Sequence, residues 1–564
     1  MSNISTTSSL PTDPTDPRGT SGVAGEDSAI FNNNSATFLG HPAGLFLLFF
    51  VEMWERFSYY GMRGLLVLYL TSPLSGMKNL PPGKVEGFNP GRGLDDPTGN
   101  TAYGWYTGLA YLTPIIGGMI ADKLIGTHRS MLVGGILIAL GHIILGFSGM
   151  ESLAQSENGM AVFVSGLALI VIGTGHFKPS VSVMVGQLYA QNDPRRETAF
   201  GIFYMGINLG AMLQTYIVGT LGERWGWHWG FSAAAVGMIL GLLAYMMLRP
   251  ALLKGVGLPR DGKGSLAPIF LPIGVILAAS VGLAYKLNWL GKIDTFISQP
   301  AVFIPIVLAA VAWVVYFVLV KNRPEDRGPV ISIFIFMLFN AIFWLSFEQA
   351  GSSINLFTDS YVDRNIGSQE VPTTWFQSIN PWCIILLAPI FGLLWTTLAR
   401  RNKNISQPTK ISIGLILVGL GYFFMVIAGL QAKDYNPDAK TGAQAAMWLI
   451  FATYFVHTLG EIVLSPTGLS YVTKAAPKEH TSLLMGVWFI SSFIANLGAG
   501  KVAAQVEPIL QGKTSLPWHL SGDASKPNSH ADFFLLFLVT SIAAGLLVLI
   551  FVPLLKKLMR NPND

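Results

Sequence analysis

The sequence predicts an all-α protein that crosses a membrane many times. Of its 564 residues, 51% are hydrophobic and only 12% are charged. Apolar stretches longer than about 18 residues recur along the whole chain, which is the length a helix needs to cross a bilayer. Short patterns that recur in the same order indicate an internal duplication. We therefore predict two six-helix bundles plus an inserted helical pair, which gives 14 transmembrane helices.

The apolar stretches set the bounds of these helices to within a few residues. The predicted spans are 44–71, 101–122, 130–149, 160–189, 198–221, 229–249, 267–288, 300–320, 329–359, 375–399, 410–430, 446–473, 482–507 and 531–555. An even number of spans places both ends of the chain on one side of the membrane. The loops on that side hold 17 Lys and Arg residues against 10 on the other side, so we expect both termini in the cytoplasm.

The chain is expected to divide into five parts. Residues 1–42 are rich in Ser, Thr, Asn, Pro and Gly, which predicts a disordered cytoplasmic tail, and no signal peptide is recognised in it. The two six-helix bundles are expected at 43–249 and 329–557. Between them, 250–328 holds a cytoplasmic linker and the two inserted helices, and 558–564 forms a short cytoplasmic tail.

Composition excludes several classes of function. The net charge of +5 does not indicate nucleic-acid binding, because the basic residues fall in short loops between apolar spans. Cys383 is the only cysteine, which excludes a disulfide framework and a cysteine metal site. No ATP-binding Walker motif is present, so we expect no cofactor and a gradient as the source of energy.

The first span carries four charged residues in the middle of its apolar stretch. A charged side chain at the centre of a bilayer costs about 3 kcal/mol even on insertion scales, so these residues need partners or water. Spacings of three and four residues place them on one helical stripe together with two tyrosines. The stripe consists of Glu52, Glu55, Arg56, Tyr59, Tyr60 and Arg63.

Three patterns recur in the same order in the two halves of the chain. Trp54-x-x-Phe57-x-x-x-Gly61 recurs as Trp344-x-x-Phe347-x-x-x-Gly351, and Pro114-Ile-x-Gly117 recurs as Pro389-Ile-x-Gly392. Gly201-Ile-Phe-Tyr with Asn208-Leu-Gly210 is echoed by Gly486-Val-Trp-Phe with Asn496-Leu-Gly498. Repeats of this kind predict two bundles of the same orientation.

The string Glu52-Met-Trp-Glu55-Arg56-Phe-Ser-Tyr59-Tyr60-Gly61 resembles the ExxERFxYYG signature of the proton-dependent oligopeptide transporters, a branch of the major facilitator superfamily. The segment from Gly117 to Arg129 resembles the short signature loop of that superfamily, except that His128 replaces the first residue of a basic pair. Gly173-Thr-Gly-His-Phe-Lys178-Pro179 and the segment from Phe203 to Gly210 resemble motifs of the fourth and fifth helices of the family. The resemblance implies a major facilitator fold and proton-driven peptide transport.

The resemblance also implies roles for individual residues. Proton coupling is assigned to Glu52, Glu55 and Arg56. The depth of residues along their spans predicts two gate salt bridges. Arg63 and Glu348 both lie roughly 30 Å from the cytoplasmic starts of their spans and can meet at the outer mouth, whereas Lys178 and Glu461 lie at or just below the midplane. The implied peptide-binding residues are Arg56, Tyr59, Tyr60, Arg63, Tyr111, Lys178, Asn208, Asn380, Glu461, Ser465 and Trp488. Gly104 stands where mammalian relatives carry a functional His, so proton binding is expected on carboxylates.

Plainer roles remain open for several of these residues. Lys178 can simply neutralise a carboxylate, Asn208 can be a buried helix contact, and Trp488 can be a packing residue. Lys178 and Glu461 can also pair only with each other to close the inner mouth. Two further lysines, Lys286 and Lys501, lie near span ends, where long cationic side chains reach the membrane surface.

The expected function is a proton-coupled symporter that imports di- and tripeptides by alternating access, in a bacterial inner membrane. A carrier of another small solute, such as nitrate, an amino acid or a peptide-like drug, is the main alternative. A membrane-embedded hydrolase is a remote one, because Glu52 and Glu55 beside Arg56 offer neither a nucleophile nor a metal. The expected partners are peptides, protons and lipid, with no nucleic acid, and a monomer is expected to suffice.

Overall fold

A computed structural model describes residues 36–77, 83–190, 193–259, 266–520, 522 and 525–559. Within these residues the chain forms 14 long helices, in the order α1 Ala43–Thr71, α2 Asp96–Ile120, α3 Thr127–Phe147, α4 Glu157–Gln187, α5 Arg195–Gln214, α6 Trp227–Leu252, α7 Ala267–Lys286, α8 Pro300–Tyr316, α9 Arg327–Phe347, α10 Ile379–Arg400, α11 Gln407–Gln431, α12 Met447–Ala475, α13 Thr481–Ala503 and α14 His530–Met559. Of these, 13 are apolar and long enough to cross a membrane. The remaining one, α1, has 29 residues and holds the four charges of the predicted stripe.

Shorter elements extend or connect the long helices. Turns of π-helix extend α2 through Ala121–Ile125, α5 through Thr215–Gly219 and α8 through Phe317–Lys321, and Thr220–Arg224 completes α5. Further short helices lie at Glu151–Leu153, Trp289–Ser298, Glu348–Gly351, Ser353–Tyr361, Thr373–Ser378 and Val506–Leu510. Thr37–Phe38 pairs with His41–Pro42, Asn365–Ile366 pairs with Gln369–Glu370, and Val362–Asp363 pairs in parallel with Ala445–Ala446.

The helices form two bundles that share one seam. The first half contains α1–α6, in which α1 packs on α5 and α6 and α3 packs on α4; in the second half, α9–α14, α11 packs on α12 and α14. The halves meet where α2 contacts α13 and where α5 contacts α10. Because 14 spans follow one another, the start of α1 and the end of α14 lie on one face, which we call the terminal face. The other is called the opposite face.

The inserted pair lies outside the two bundles. Helix α7 packs on α3 and α4, whereas the described side chains of α8 between Pro300 and Tyr316 are all at least partly exposed. A helix that is apolar all round and exposed in the isolated chain is suited to contact with lipid. The first half therefore carries the inserted pair on its outside.

One of the predicted repeat patterns has the same side-chain geometry in both halves. In α1 the rings of Trp54 and Phe57 lie 5.1 Å apart at 75°. In α9 the rings of Trp344 and Phe347 lie 5.2 Å apart at 72°. Two helices from different halves thus hold the same edge-to-face pair in the same geometry, as expected for duplicated elements.

The structure corrects three sequence-based expectations. Residues 36–42 were assigned to a disordered tail, but they form a hairpin in which His41 contacts the hydroxyl of Tyr189 at 2.9 Å; residues 1–35 and 560–564 lie outside the described part. The ninth span, predicted as one helix, breaks at Glu348–Gly351. Lys501, expected at the membrane surface, forms an ion pair of 2.5 Å with Asp294 of the short helix Trp289–Ser298.

Candidate functional site

Glu52, Glu55 and Arg56 form a buried charge cluster in the middle of α1. The Arg56 Nε lies 3.1 Å from Glu52 Oε1 and donates a hydrogen bond to Glu55 Oε2. All three residues are less than 5% exposed. Glu55 Oε1 and Arg56 Nη2 are buried and have no hydrogen-bond partner among the described residues. One cation is thus shared by two carboxylates, and bonding capacity remains for a proton or a ligand.

The aromatic residues of the α1 stripe join this cluster to Arg63. The guanidinium of Arg56 lies 5.1 Å from the ring centre of Tyr59, and that of Arg63 lies 5.8 Å from the ring centre of Tyr60. The two tyrosine rings meet edge to face at 5.3 Å. Cations at these distances are attracted to the faces of the rings. The structure therefore brings together the whole stripe predicted from helical spacing.

Arg63 connects the two halves of the protein. Its Nη2 lies 2.5 Å from Glu348 Oε2 in the second half, and its Nε donates to the Tyr103 hydroxyl at 2.8 Å. Glu348 opens the short turn that interrupts α9, and Gly351 in the same turn lies directly against the Tyr103 hydroxyl, where a Cβ would not fit. The break in α9 thus places the carboxylate next to Arg63, and the predicted Arg63–Glu348 contact is present.

Lys178 and Glu461 do not form the predicted second gate in this conformation. The Lys178 ammonium lies 4.1 Å from the ring centre of Tyr111 on α2. Glu461 accepts a hydrogen bond of 2.7 Å from Asn380 on α10, whose amide also donates to Thr458 at 3.1 Å. Each charged group is thus engaged within its own half, so the gate pair that the sequence predicted is open.

The three other predicted peptide-binding residues differ in position. Asn208 is buried, and its amide donates to the carbonyl oxygen of Tyr204 one turn earlier, at 3.0 Å. Trp488 is only 7% exposed and packs in the apolar core of the second half, whereas Ser465 is exposed. The packing alternatives given for Asn208 and Trp488 therefore fit these positions, whereas the role of Ser465 in peptide binding stays a prediction.

Sequence reasoning missed Tyr103 and Thr458, which contact site residues directly. Tyr103 lies eight residues before Tyr111, close to two full helical turns, and therefore on a similar side of α2. Thr458 lies three residues before Glu461 on α12. Helical spacing from a residue already assigned to the site is the signal that would have found both.

Contacts between the halves are close toward the opposite face. There a Cβ on Gly104 would lie 3.0 Å from the Gly500 backbone across the α2–α13 seam. Toward the terminal face, a Cβ on Gly201, Gly392 or Gly486, on α5, α10 and α13, would have no described atom within 4 Å. The backbones of the two halves are therefore packed tightly near the opposite face, on the same side as the Arg63–Glu348 pair.

Loss of the Arg63–Glu348 pair is expected to open the opposite face. Removal of one partner from a buried ion pair typically costs about 3–5 kcal/mol, because the remaining charge is left without a counter-ion. Here that cost falls only on the conformation in which the pair exists, so Arg63→Ala or Glu348→Ala should shift the equilibrium toward the other conformation. Cysteine pairs placed across the opposite mouth should cross-link less often in both variants. Equal cross-linking in wild type and both variants would show that this pair is not a gate.

Two six-helix bundles of repeated helices with buried charges at their seam are the arrangement of a secondary transporter that works by alternating access. The family assignment is specific. The family model described as POT family matches residues 128–516, and the chain belongs to that family, whose members are transporters and not enzymes.

Individual relatives match nearly the whole chain. A di-/tripeptide transporter of Lactococcus lactis subsp. cremoris is 34% identical over 538 residues, which is 94% of this chain and 98% of the relative. The uncharacterized transporter YclF of Bacillus subtilis is 36% identical over 84% of this chain and 89% of its own length. A crystal structure of the peptide transporter POT in complex with sulfate is 32% identical, covers 94% of this chain and 99% of its own, and superposes with a TM-score of 0.76. The resemblance inferred from the sequence motifs is thus confirmed, and so is the major facilitator fold.

Proposed function

We propose that the protein imports di- and tripeptides together with protons across a bacterial inner membrane. The observation that carries this proposal is the distribution of charge over the two halves. Arg56 and Lys178 belong to the first half and Glu461 belongs to the second. A peptide zwitterion carries one ammonium and one carboxylate, so it bridges cations on one half and a carboxylate on the other. The relative named as a di-/tripeptide transporter supports this substrate class.

The charges of the site support proton coupling. The predicted central site holds the buried carboxylates Glu52, Glu55, Glu348 and Glu461 and the buried or half-buried cations Arg56, Arg63 and Lys178. The cluster therefore carries one negative charge in excess, and one bound proton makes it neutral. Because Glu52 and Glu55 share the single cation Arg56, we assign the transported proton to this pair.

The loops support an orientation for the protein in the membrane. We propose that the terminal face and both termini lie in the cytoplasm, because the loops on that face hold an excess of Lys and Arg. The present conformation then opens inward, and the Arg63–Glu348 contact closes the outer mouth. A single chain supplies every residue of the proposed site, so the monomer is the proposed transport unit. Protons are the proposed driving ion, with no further cofactor.

Uptake by purified protein in proteoliposomes tests this proposal. Labelled dialanine should accumulate above the external concentration only when an inward proton gradient is imposed, and it should be recovered intact. Nitrate should not compete for uptake, because it has no ammonium group that could pair with the Glu461 carboxylate. Accumulation of dialanine to the same level with and without the proton gradient would contradict symport. Competition by nitrate but not by unlabelled dipeptide would favour a carrier of anions.

A further inference from the structure

A second carboxylate joins the two halves on the opposite face, and none of the roles above uses it. Glu223 lies in the last turn of α5 and is 4% exposed. Its Oε2 accepts from the Thr373 backbone N–H at 2.8 Å. Its Oε1 accepts from the Thr374 backbone N–H at 2.9 Å and from the Thr374 hydroxyl at 2.6 Å. All three donors belong to the second half.

This contact is stronger than an ordinary loop contact for two reasons. A carboxylate that accepts from backbone N–H groups forms charge-assisted hydrogen bonds, which are about twice as strong as neutral ones. The donors open the helical segment that starts at Thr373 and continues into α10, and the N-terminal end of a helix carries partial positive charge. No ion pair of Glu223 with a Lys or Arg is found among the described residues. The Arg364 guanidinium of the second half attracts the carboxylate from a greater distance, and the three donors provide its direct hydrogen bonds.

Neighbouring contacts show that the two halves are joined over an area at this point. The Trp375 indole donates to Thr220 at 2.8 Å. The Tyr216 and Ser378 hydroxyls lie 3.0 Å apart. Gly219 lies directly against the side chain of Thr374, where a Cβ would not fit. All of these contacts join the two halves, so they have to break if the halves separate on the opposite face.

The helix held by Glu223 also carries part of the ligand site. Asn380, which donates to Glu461, lies six residues after Thr374 along the same segment. This is a distance of about 11 Å, because Thr373–Ser378 is a 3₁₀ helix with a rise of about 2.0 Å per residue and the α-helix begins at Ile379. Glu223 is therefore attached to the end of the element that positions Asn380. A displacement of the start of this segment at Glu223 would therefore also move Asn380, which contacts Glu461.

We propose that Glu223 is a positioning residue that latches the opposite mouth shut by capping the start of α10 from the other half. When the mouth opens, the carboxylate must leave three donors, and water has to replace them. The latch thereby favours the conformation described here over the one open on the opposite face. It lies on the α5–α10 side of the seam, separate from the Arg63–Glu348 pair between α1 and α9, and rests on alternating access but not on the identity of the substrate.

A matched control is available on the same face. Asp532 is also a buried carboxylate that accepts from two backbone N–H groups, those of Leu520 at 2.7 Å and Ser529 at 2.8 Å, and from the Ser529 hydroxyl at 2.8 Å. All of its donors lie in the second half. Glu223→Gln and Asp532→Asn therefore each remove the negative charge of a buried carboxylate that accepts three hydrogen bonds. Only Glu223→Gln weakens a contact between the two halves.

Distance measurements between spin labels distinguish the loss of a contact between the halves from the loss of a contact within one half. Labels are placed on cysteines introduced at the exposed Ser152 and Ser368, on the opposite face of the first and second half, after Cys383→Ser removes the native thiol. In Glu223→Gln the ratio of open to closed opposite mouth should rise by roughly tenfold or more, the effect of losing a charge-assisted contact in one state only. Asp532→Asn should leave the distance distribution unchanged. An unchanged distribution in Glu223→Gln, or an equal shift in Asp532→Asn, would overturn the latch.

Two milder variants keep the test informative if Glu223→Gln folds poorly. Thr374→Val removes one of the three hydrogen bonds and should give a smaller shift in the same direction, while Glu223→Asp keeps the charge and should largely restore the closed distance. In oriented vesicles, a population shifted toward the outward-open state should lower the apparent KM for external dipeptide, because the binding-competent fraction rises. Distances and KM that stay at wild-type values in Thr374→Val would show that the contact only stabilises the fold.

Discussion

Replacement of Glu52 or Glu55 by Gln is expected to abolish gradient-driven uptake of peptide while preserving exchange of peptide across the membrane. Glutamine has the shape of a protonated glutamate but cannot release a proton. Each variant is therefore held in the loaded charge state, with Arg56 balanced by the one remaining carboxylate. The carrier can still alternate with peptide bound, which is all that exchange requires. Uptake should fall to the level measured without a gradient.

The measurement compares accumulation and counterflow of labelled dialanine in the same proteoliposomes. Glu157→Gln is a suitable control because Glu157 is an exposed carboxylate in the first turn of α4, outside the cluster. It should behave like wild type in both assays. Wild-type gradient-driven uptake by both the Glu52 and the Glu55 variant would exclude this pair as the proton site. Loss of exchange as well as uptake would instead indicate that the carboxylates are needed for folding or binding.

The sequence predicted the architecture because the membrane imposes it. Apolar length alone located the helices, since an unsatisfied backbone group in lipid costs several kcal/mol and only complete helices avoid it. The helical stripe on α1 followed from spacing in the same way. Even the Arg63–Glu348 contact was predictable, because both residues lie at similar distances along spans that start on the same face.

What could not be predicted depends on contacts between distant elements. The break in α9 at Glu348–Gly351 lies where Arg63 and Tyr103 of other helices contact it. Gly351-Ser352-Ser353 was included in the helix because apolar length alone set the bounds of this span. The short helix Trp289–Ser298 was missed because its place is fixed by the ion pair between Asp294 and Lys501 and by a hydrogen bond from Trp105. Local sequence patterns predict that a segment is helical, but they do not predict which distant residues will contact it.

The two predicted gates illustrate a second limit. Sequence predicted both the Arg63–Glu348 and the Lys178–Glu461 pair, but it did not show that the two need not exist together. The structure contains the first and lacks the second. This is compatible with a carrier, in which both gates must not be open at once but either one can be. Contacts predicted from a sequence can belong to different conformations of the protein, whereas one structure contains only the contacts of one conformation.

N-acetylation of a dipeptide is expected to weaken its competition for uptake by roughly thirtyfold or more. The acyl cap removes the ammonium that we assign to Glu461, and loss of a charge-assisted pair in a closed cavity costs about 2–5 kcal/mol. In the present structure the Glu461 carboxylate is oriented by Asn380 and is only 8% exposed, so an unpaired charge there is poorly solvated. Side chains of the peptide should matter less, because the backbone and termini are what all dipeptides share.

Competition against labelled dialanine measures this effect, and Glu461→Gln identifies its origin. In wild type the free dipeptide should compete strongly and the acetylated one weakly. In Glu461→Gln the difference should largely disappear, because the free ammonium no longer meets a carboxylate. Lys178→Gln should instead reduce discrimination between a dipeptide and its C-terminal amide, since Lys178 is assigned to the other end. Equal competition by free and acetylated peptide in wild type, together with near-normal affinity in Glu461→Gln, would restrict Lys178 and Glu461 to closing the inner mouth.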